Sequence, residues 1–142
     1  MFIGLYMNEV TLIKRLPTVG ELKTFHEAVG WENVDDAAIA TALESTLFGC
    51  VVIHKGRAIG CGRVIGDGGM YFYIQDVIVL PEYQGRGIGR LLMNAVMEYL
   101  GAVAKPNAFI GLMSAKDKSG FYLKFGFEER PPGRPGMFKV WK

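Results

Sequence analysis

The sequence predicts a mixed α/β (α+β) domain: one twisted, mostly antiparallel sheet of about six to seven strands with about four helices packed against it. Three observations lead there. Short β-rich runs are separated by Gly, Pro and Asp, a strongly amphipathic helical stretch lies near residue 95, and the order is strand, two helices, three strands, helix, strand, helix, strands. At 142 residues the chain has the length of one domain, and we read 1–142 as a single domain. Half of its residues are apolar and 12% aromatic, so a core can form without disulfides.

Val10 to Lys14 alternates weakly as a first strand, and Pro17-Thr18 opens a first helix through Glu21 to Val29. Asp35 and Asp36 precede Ala37, Ile39, Ala40 and Leu43, placing a cap and acidic residues at the positive end of a second helix ending near Glu44. Phe48–His54 and Ala58–Ile65 read as a hairpin turning at Lys55-Gly56, which sets Cys50 opposite Cys61. After Asp67-Gly68-Gly69, Tyr71–Leu80 is nearly continuous apolar sequence, expected of a strand buried on both faces, and its one charge is Asp76. Pro81 stops that strand. Ile88, Leu91, Leu92, Ala95, Val96 and Tyr99 mark the apolar stripe of a third helix, closed by Gly101 and Pro106. Phe109–Met113 is a further strand, Ser119 begins a short helix through Lys124 that Gly126 ends, and 127–130 with 137–141 suggest a terminal strand pair around a Pro- and Gly-rich loop.

Several functional classes fall away on composition. Sixteen Lys and Arg against fourteen Asp and Glu give +2, too little to imply a nucleic-acid partner. The longest apolar runs fall well short of the ~20 residues that cross a bilayer, so no membrane partner is expected. The first ten residues carry Glu9 and no basic start, so no signal peptide is read and a cytoplasmic location is expected. Cys50 and Cys61 do not form a C-x-x-C pair and His26 and His54 are scattered, which argues against a metal site. Charge is uneven, however: six basic and nine acidic residues in 1–81, ten and five in 82–142. Such a split suits two ligands of opposite sign, or simply two solvated faces.

Between the apolar strand and the amphipathic helix stands Gln84-Gly85-Arg86-Gly87-Ile88-Gly89. Glycines let the backbone turn tightly and aim successive N–H groups at an anion, and the helix start adds about half a positive charge. Arg86 and Arg90 can supply charge-assisted contacts to the same group. Arg90 stands where a dinucleotide fingerprint needs its last glycine, and the Lys and Ser or Thr of a P-loop are missing.

The run from Asp76 to Leu92, with Gln84, Gly87 and Gly89 at the three defining positions of Q/R-x-x-G-x-G/A, resembles the acetyl-CoA motif of the GNAT superfamily of N-acetyltransferases. A second stretch, Gly120-Phe121-Tyr122-Leu123-Lys124-Phe125-Gly126-Phe127, is similar to that family's F-Y-x-K-x-G-F segment. The resemblance covers about 47 to 130, and Ala115 replaces the Asn that the family often has seven residues before the tyrosine.

The resemblance implies a fourth strand splayed from the fifth, with acetyl-CoA as cosubstrate in the gap. Its pantetheine arm would pair with the backbone of Ile78, Val79 and Leu80, and its pyrophosphate would lie on Gln84, Gly85, Arg86, Gly87, Ile88, Gly89 and Arg90. Tyr122 is implied as proton donor to the CoA sulfur, and the Val79 N–H as the group holding the thioester oxygen. Without the motif Tyr122 would read as a core aromatic. Asp76 is a candidate base for the attacking amine or a structural partner of Arg63. Glu21, Glu27 and His26 could line the amine pocket or be plain solvated side chains, and Tyr71, Tyr73 and Trp31 could wall it or pack in the core.

The implied reaction is transfer of the acetyl group to a primary amine of a small molecule in a ternary complex. The alternatives are a non-catalytic acyl-CoA sensor and a protein N-terminal or lysine acetyltransferase. The resemblance also implies a homodimer through the C-terminal segment.

Overall fold

This computed structural model describes residues 9–142; the reading of the N-terminus as free of a signal peptide rests largely on residues outside that range. Five strands form one sheet in sequence order, β1 (Val10–Ile13), β2 (Phe48–His54), β3 (Arg57–Gly66), β4 (Tyr71–Val79) and β5 (Phe109–Gly111). The first four pair antiparallel and β5 joins β4 in parallel. Lys55 and Gly56, at φ 50° and 76°, form the left-handed two-residue turn of the β2–β3 hairpin.

Cys50 faces Gly62, and Cys61 faces Val51, so the expected Cys50–Cys61 register is off by one. The cause is a bulge between Val52 and Ile53, where β3 carries one more residue than β2. The two thiols therefore lie on opposite faces of the sheet.

A second bulge shapes β4. Between the pairs Cys61↔Ile78 and Arg63↔Gln75, β3 advances two residues and β4 three, and Asp76 takes the left-handed conformation at φ 55°. Ile74 lies opposite Val64 and Ile78 opposite Cys61, positions of opposite face on β3. The extra residue thus moves β4's buried side chains from one face of the sheet to the other. Buried Phe72, Ile74, Asp76 and Ile78 alternate with half-buried or exposed neighbours, so β4 is less enclosed than its apolar sequence predicts.

Helix α1 (Val19–Ala28) starts at a capping box: Glu21 N–H donates to Thr18 Oγ1 (3.0 Å) and Thr18 N–H to Glu21 Oε1 (2.9 Å). Asp35 caps α2 (Asp36–Glu44), its Oδ1 accepting from Ala38 N–H at 2.8 Å. Helix α3 (Ile88–Val103) buries Ile88, Leu92, Met93, Ala95, Val96 and Leu100. A Cβ at Gly60 of β3 would stand 3.2 Å from Ile88 and Leu92, so glycine there admits α3 close to the sheet. The helix continues two residues past Gly101, since one glycine costs a helix only about 1 kcal/mol.

The chain divides into two compact units, one ending at Leu112 and one spanning Met113–Lys142. The second holds α4 (Ser119–Leu123) and, among the described residues, no strand, so the sheet has five strands rather than six to seven. The expected pair at 127–130 and 137–141 does not form. The connecting loop, its φ angles fixed at Pro131, Pro132 and Pro135, bonds to itself through Arg134 N–H to Pro131 O and Arg130 Nε–H to Arg134 O, both 2.9 Å, rather than closing a hairpin.

Candidate functional site

Pro81, which has no N–H, ends β4 and begins a 3₁₀ turn over Pro81–Tyr83, with Tyr83 N–H donating to Leu80 O at 2.8 Å. The chain then runs through Gly85 at φ 77° and Gly87 at φ 85°, and Gly87 is the N-cap of α3. A side chain would be strained at either glycine. Gly85 has nothing within 4 Å of where a Cβ would be, so its left-handed backbone, rather than crowding, explains the glycine. Successive amides at the start of a 16-residue helix, backed by Arg86 and exposed Arg90, are the surroundings a pyrophosphate needs. Ile88 offers only its backbone, since its side chain is buried.

Gln84 bends back, its Nε2–H donating to Val79 O at 3.0 Å. Leu80 N–H points to β3, bonding Ile59 O at 2.9 Å, so the N–H and C=O of Val79 point the other way, toward the β5 side. There β5 pairs only with Tyr71, Phe72 and Tyr73, and beyond Tyr73 no strand among the described residues covers that edge of β4. The Val79 carbonyl is taken by Gln84, and its N–H is the donor offered along an open strand edge. An extended, amide-bearing ligand such as a pantetheine arm fits an edge of this kind.

At the bulge Asp76 is 4% exposed and both its carboxylate oxygens are held. Arg63 Nε–H donates to Oδ2 at 2.7 Å, and His26 Nε2–H to Oδ1 at 2.8 Å. Arg63 also donates to Thr46 Oγ1 at 2.7 Å, and His26 Nδ1 lies 2.8 Å from Asn33 Oδ1. The His26 ring stands 5.5 Å from that of Trp31. The structure thus brings together Asp76, Arg63 and His26, three residues named from sequence, and adds Asn33 and Thr46, which were not. Both lie in connections flanking α2, where no motif marks them. Glu21 is elsewhere, paired with Arg15 at 2.8 Å, and that pairing holds its carboxyl below the ordinary range. Glu27 is exposed on α1, Tyr71 lies exposed with its ring 6.2 Å from that of Phe109, and Tyr73 is half-buried.

Both thiols are wholly buried. Burial pushes the Cys50 thiol up to about 11, and burial, with the Asp76 charge next, raises Cys61 as well. Neither can supply a thiolate near neutral pH. In the second unit Tyr122 packs edge-on to Phe121 and near Phe127, and burial raises its hydroxyl above the usual tyrosine range. Among the described residues no three His, Cys, Asp or Glu gather as a metal site.

Residues 46–129, more than half of the chain, match the model of the acetyltransferase (GNAT) domain. The chain belongs to the GNAT family. An uncharacterized N-acetyltransferase of Porphyra purpurea is 30% identical over 122 residues, 83% of this chain and 69% of that one. A protein of Oryza sativa named as a chloroplastic serotonin N-acetyltransferase is 30% identical over 123 residues, 84% of this chain and 60% of that one. Among solved structures, a probable acetyltransferase of unknown function from Staphylococcus aureus superposes with a TM-score of 0.87 at 32% identity, over 93% of this chain and 99% of that one. As a GNAT acyltransferase, this chain carries the family's cosubstrate motif on the loop with the two left-handed glycines.

Proposed function

We propose that the chain is an N-acetyltransferase that moves the acetyl group of acetyl-CoA directly onto a primary amine of a small molecule, the whole of 1–142 acting as one acetyltransferase domain. The observation that carries this is the loop after β4: a Gln84-to-Arg90 anion cradle next to an open strand edge whose donor is the Val79 N–H. In this reading the loop amides, Arg86 and Arg90 hold the pyrophosphate, and the edge from Ile78 to Leu80 pairs with the pantetheine arm. The Val79 N–H then stabilises the oxygen on which charge develops as the amine attacks the thioester carbonyl.

Direct transfer is supported by the cysteines, which are too buried and too weakly acidic to form an acetyl-enzyme. Tyr122 takes the family role of proton donor to the departing thiolate, since a tyrosine hydroxyl carries its proton at neutral pH and the burial that raises its pKa keeps it there. Asp76, with both oxygens occupied, acts on the amine proton through His26 or a water rather than accepting it unaided. A small amine is favoured by the partly exposed Trp31 beside His26, and by the rice relative whose name gives serotonin as its substrate. Exposed Met137, Phe138, Val140 and Trp141 support a homodimer.

The test is release of free thiol from acetyl-CoA across a panel of arylalkylamines, polyamines, aminoglycosides and a lysine peptide. Turnover with a small amine supports the reading, and turnover with the peptide alone moves it to protein acetylation. Saturable acetyl-CoA binding with no turnover on any amine favours a sensor.

A further inference from the structure

His54 lies at the end of β2, is 4% exposed, and has no part in the reaction described above. Its Nε2 stands 3.0 Å from Glu9 Oε2 and its Nδ1 2.7 Å from the hydroxyl of Tyr83. A carboxylate only accepts, so Nε2 carries the ring proton that faces Glu9, which leaves Nδ1 to pair with the Tyr83 hydroxyl. The two rings meet edge to face at 5.3 Å. Tyr83 closes the 3₁₀ turn directly ahead of Gln84, and the guanidinium of Arg86 lies over its ring, 5.9 Å from the centroid. A buried histidine on one strand therefore reaches, through one tyrosine, an arginine of the anion cradle.

We propose that His54 is a positioning residue for the phosphate-binding loop: by holding the Tyr83 hydroxyl it fixes the ring on which Arg86 rests, and so sets the affinity for the pyrophosphate of acetyl-CoA. This rests on the cofactor reading above. It is independent of which amine is acetylated.

The two nitrogens of His54 can be separated by substitution. The amide of an asparagine falls near the Nδ1 position and can still meet Tyr83; that of a glutamine falls near Nε2 and can meet only Glu9. Acetyl-CoA is titrated calorimetrically into the wild type and into His54→Asn, His54→Gln and Tyr83→Phe, with the melting temperature of each recorded. Losing one net hydrogen bond should raise Kd about fivefold in His54→Gln and in Tyr83→Phe. His54→Asn should stay within about twofold of the wild type, whatever its melting temperature. In an Arg86→Ala background, His54→Gln should add no further loss, because the effect passes through that arginine.

Tyr83→Phe binding like the wild type overturns the inference, and so does His54→Asn weakened as much as His54→Gln. Losses from His54→Gln and Arg86→Ala that simply multiply also overturn it. A wild type that binds no acetyl-CoA removes the cofactor reading and this inference together; binding in the wild type with any of the other contrary results removes the inference alone.

Discussion

Asp76 is the residue on which the sheet and the site meet. It adopts a left-handed backbone at a bulge, a conformation aspartate tolerates better than most side chains, and it neutralises a buried arginine. Replacing it by alanine leaves Arg63 buried with no charge partner, so Asp76→Ala should cost about 3–5 kcal/mol by urea unfolding. A cost under about 1 kcal/mol would show that the pair is dispensable. Arg63 and Asp76 were visible in the sequence because each is a lone charge in an apolar strand. His26 was visible only as one of several polar residues on a helix. Its contact with Asp76 spans 50 positions, and no local pattern encodes it. Tyr122→Phe should lower kcat about 100-fold or more while leaving acetyl-CoA affinity intact, as expected for loss of a general acid. An unchanged kcat would return Tyr122 to a packing role.

The turn between β3 and β4 is an element held by one carboxylate. Asp67 Oδ1 accepts from the N–H groups of Gly69, Met70 and Tyr71 at 2.8, 2.8 and 3.0 Å, and these amides, Tyr71 foremost, lower its pKa. A depressed carboxylate pKa stabilises the fold above the unfolded value, near 4, and that contribution fades as pH falls through the folded value. Asp67→Asn should therefore lower the melting temperature at pH 7, with the gap from the wild type closing as the pH is taken below about 4. A constant gap across that range would contradict the assignment. Elements with strong caps and stripes were legible: the Thr18-Glu21 box, the Asp35 cap and the α3 stripe appear where the sequence puts them. Register was not. Two bulges shift pairing by one residue each, and nothing in the strand sequences marks an extra residue.

At the scale of the molecule, the C-terminal region is where sequence and structure part. Two segments flanking a Pro- and Gly-rich loop suggest a terminal strand pair, but the loop bonds to itself and Met137, Phe138, Val140 and Trp141 are left exposed instead. The candidate site was legible to a greater degree, because a glycine-rich strand-to-helix turn writes its backbone needs into contiguous residues. What contiguity could not show is the support beneath it: Gln84 on the Val79 carbonyl, Tyr83 on His54, and β5 leaving the edge of β4 after Tyr73. In the proposed function, each of these supports prepares the loop from Gln84 to Arg90 and its adjoining strand edge to bind acetyl-CoA. Calorimetric titration of acetyl-CoA into the wild type and into Gly87→Glu tests that binding, since the variant sets a β-carbon at φ 85° and a negative charge at the helix start. Saturable binding by the wild type, lost in a folded Gly87→Glu, is the predicted result; equal affinity in the two proteins, or none in the wild type, would contradict it.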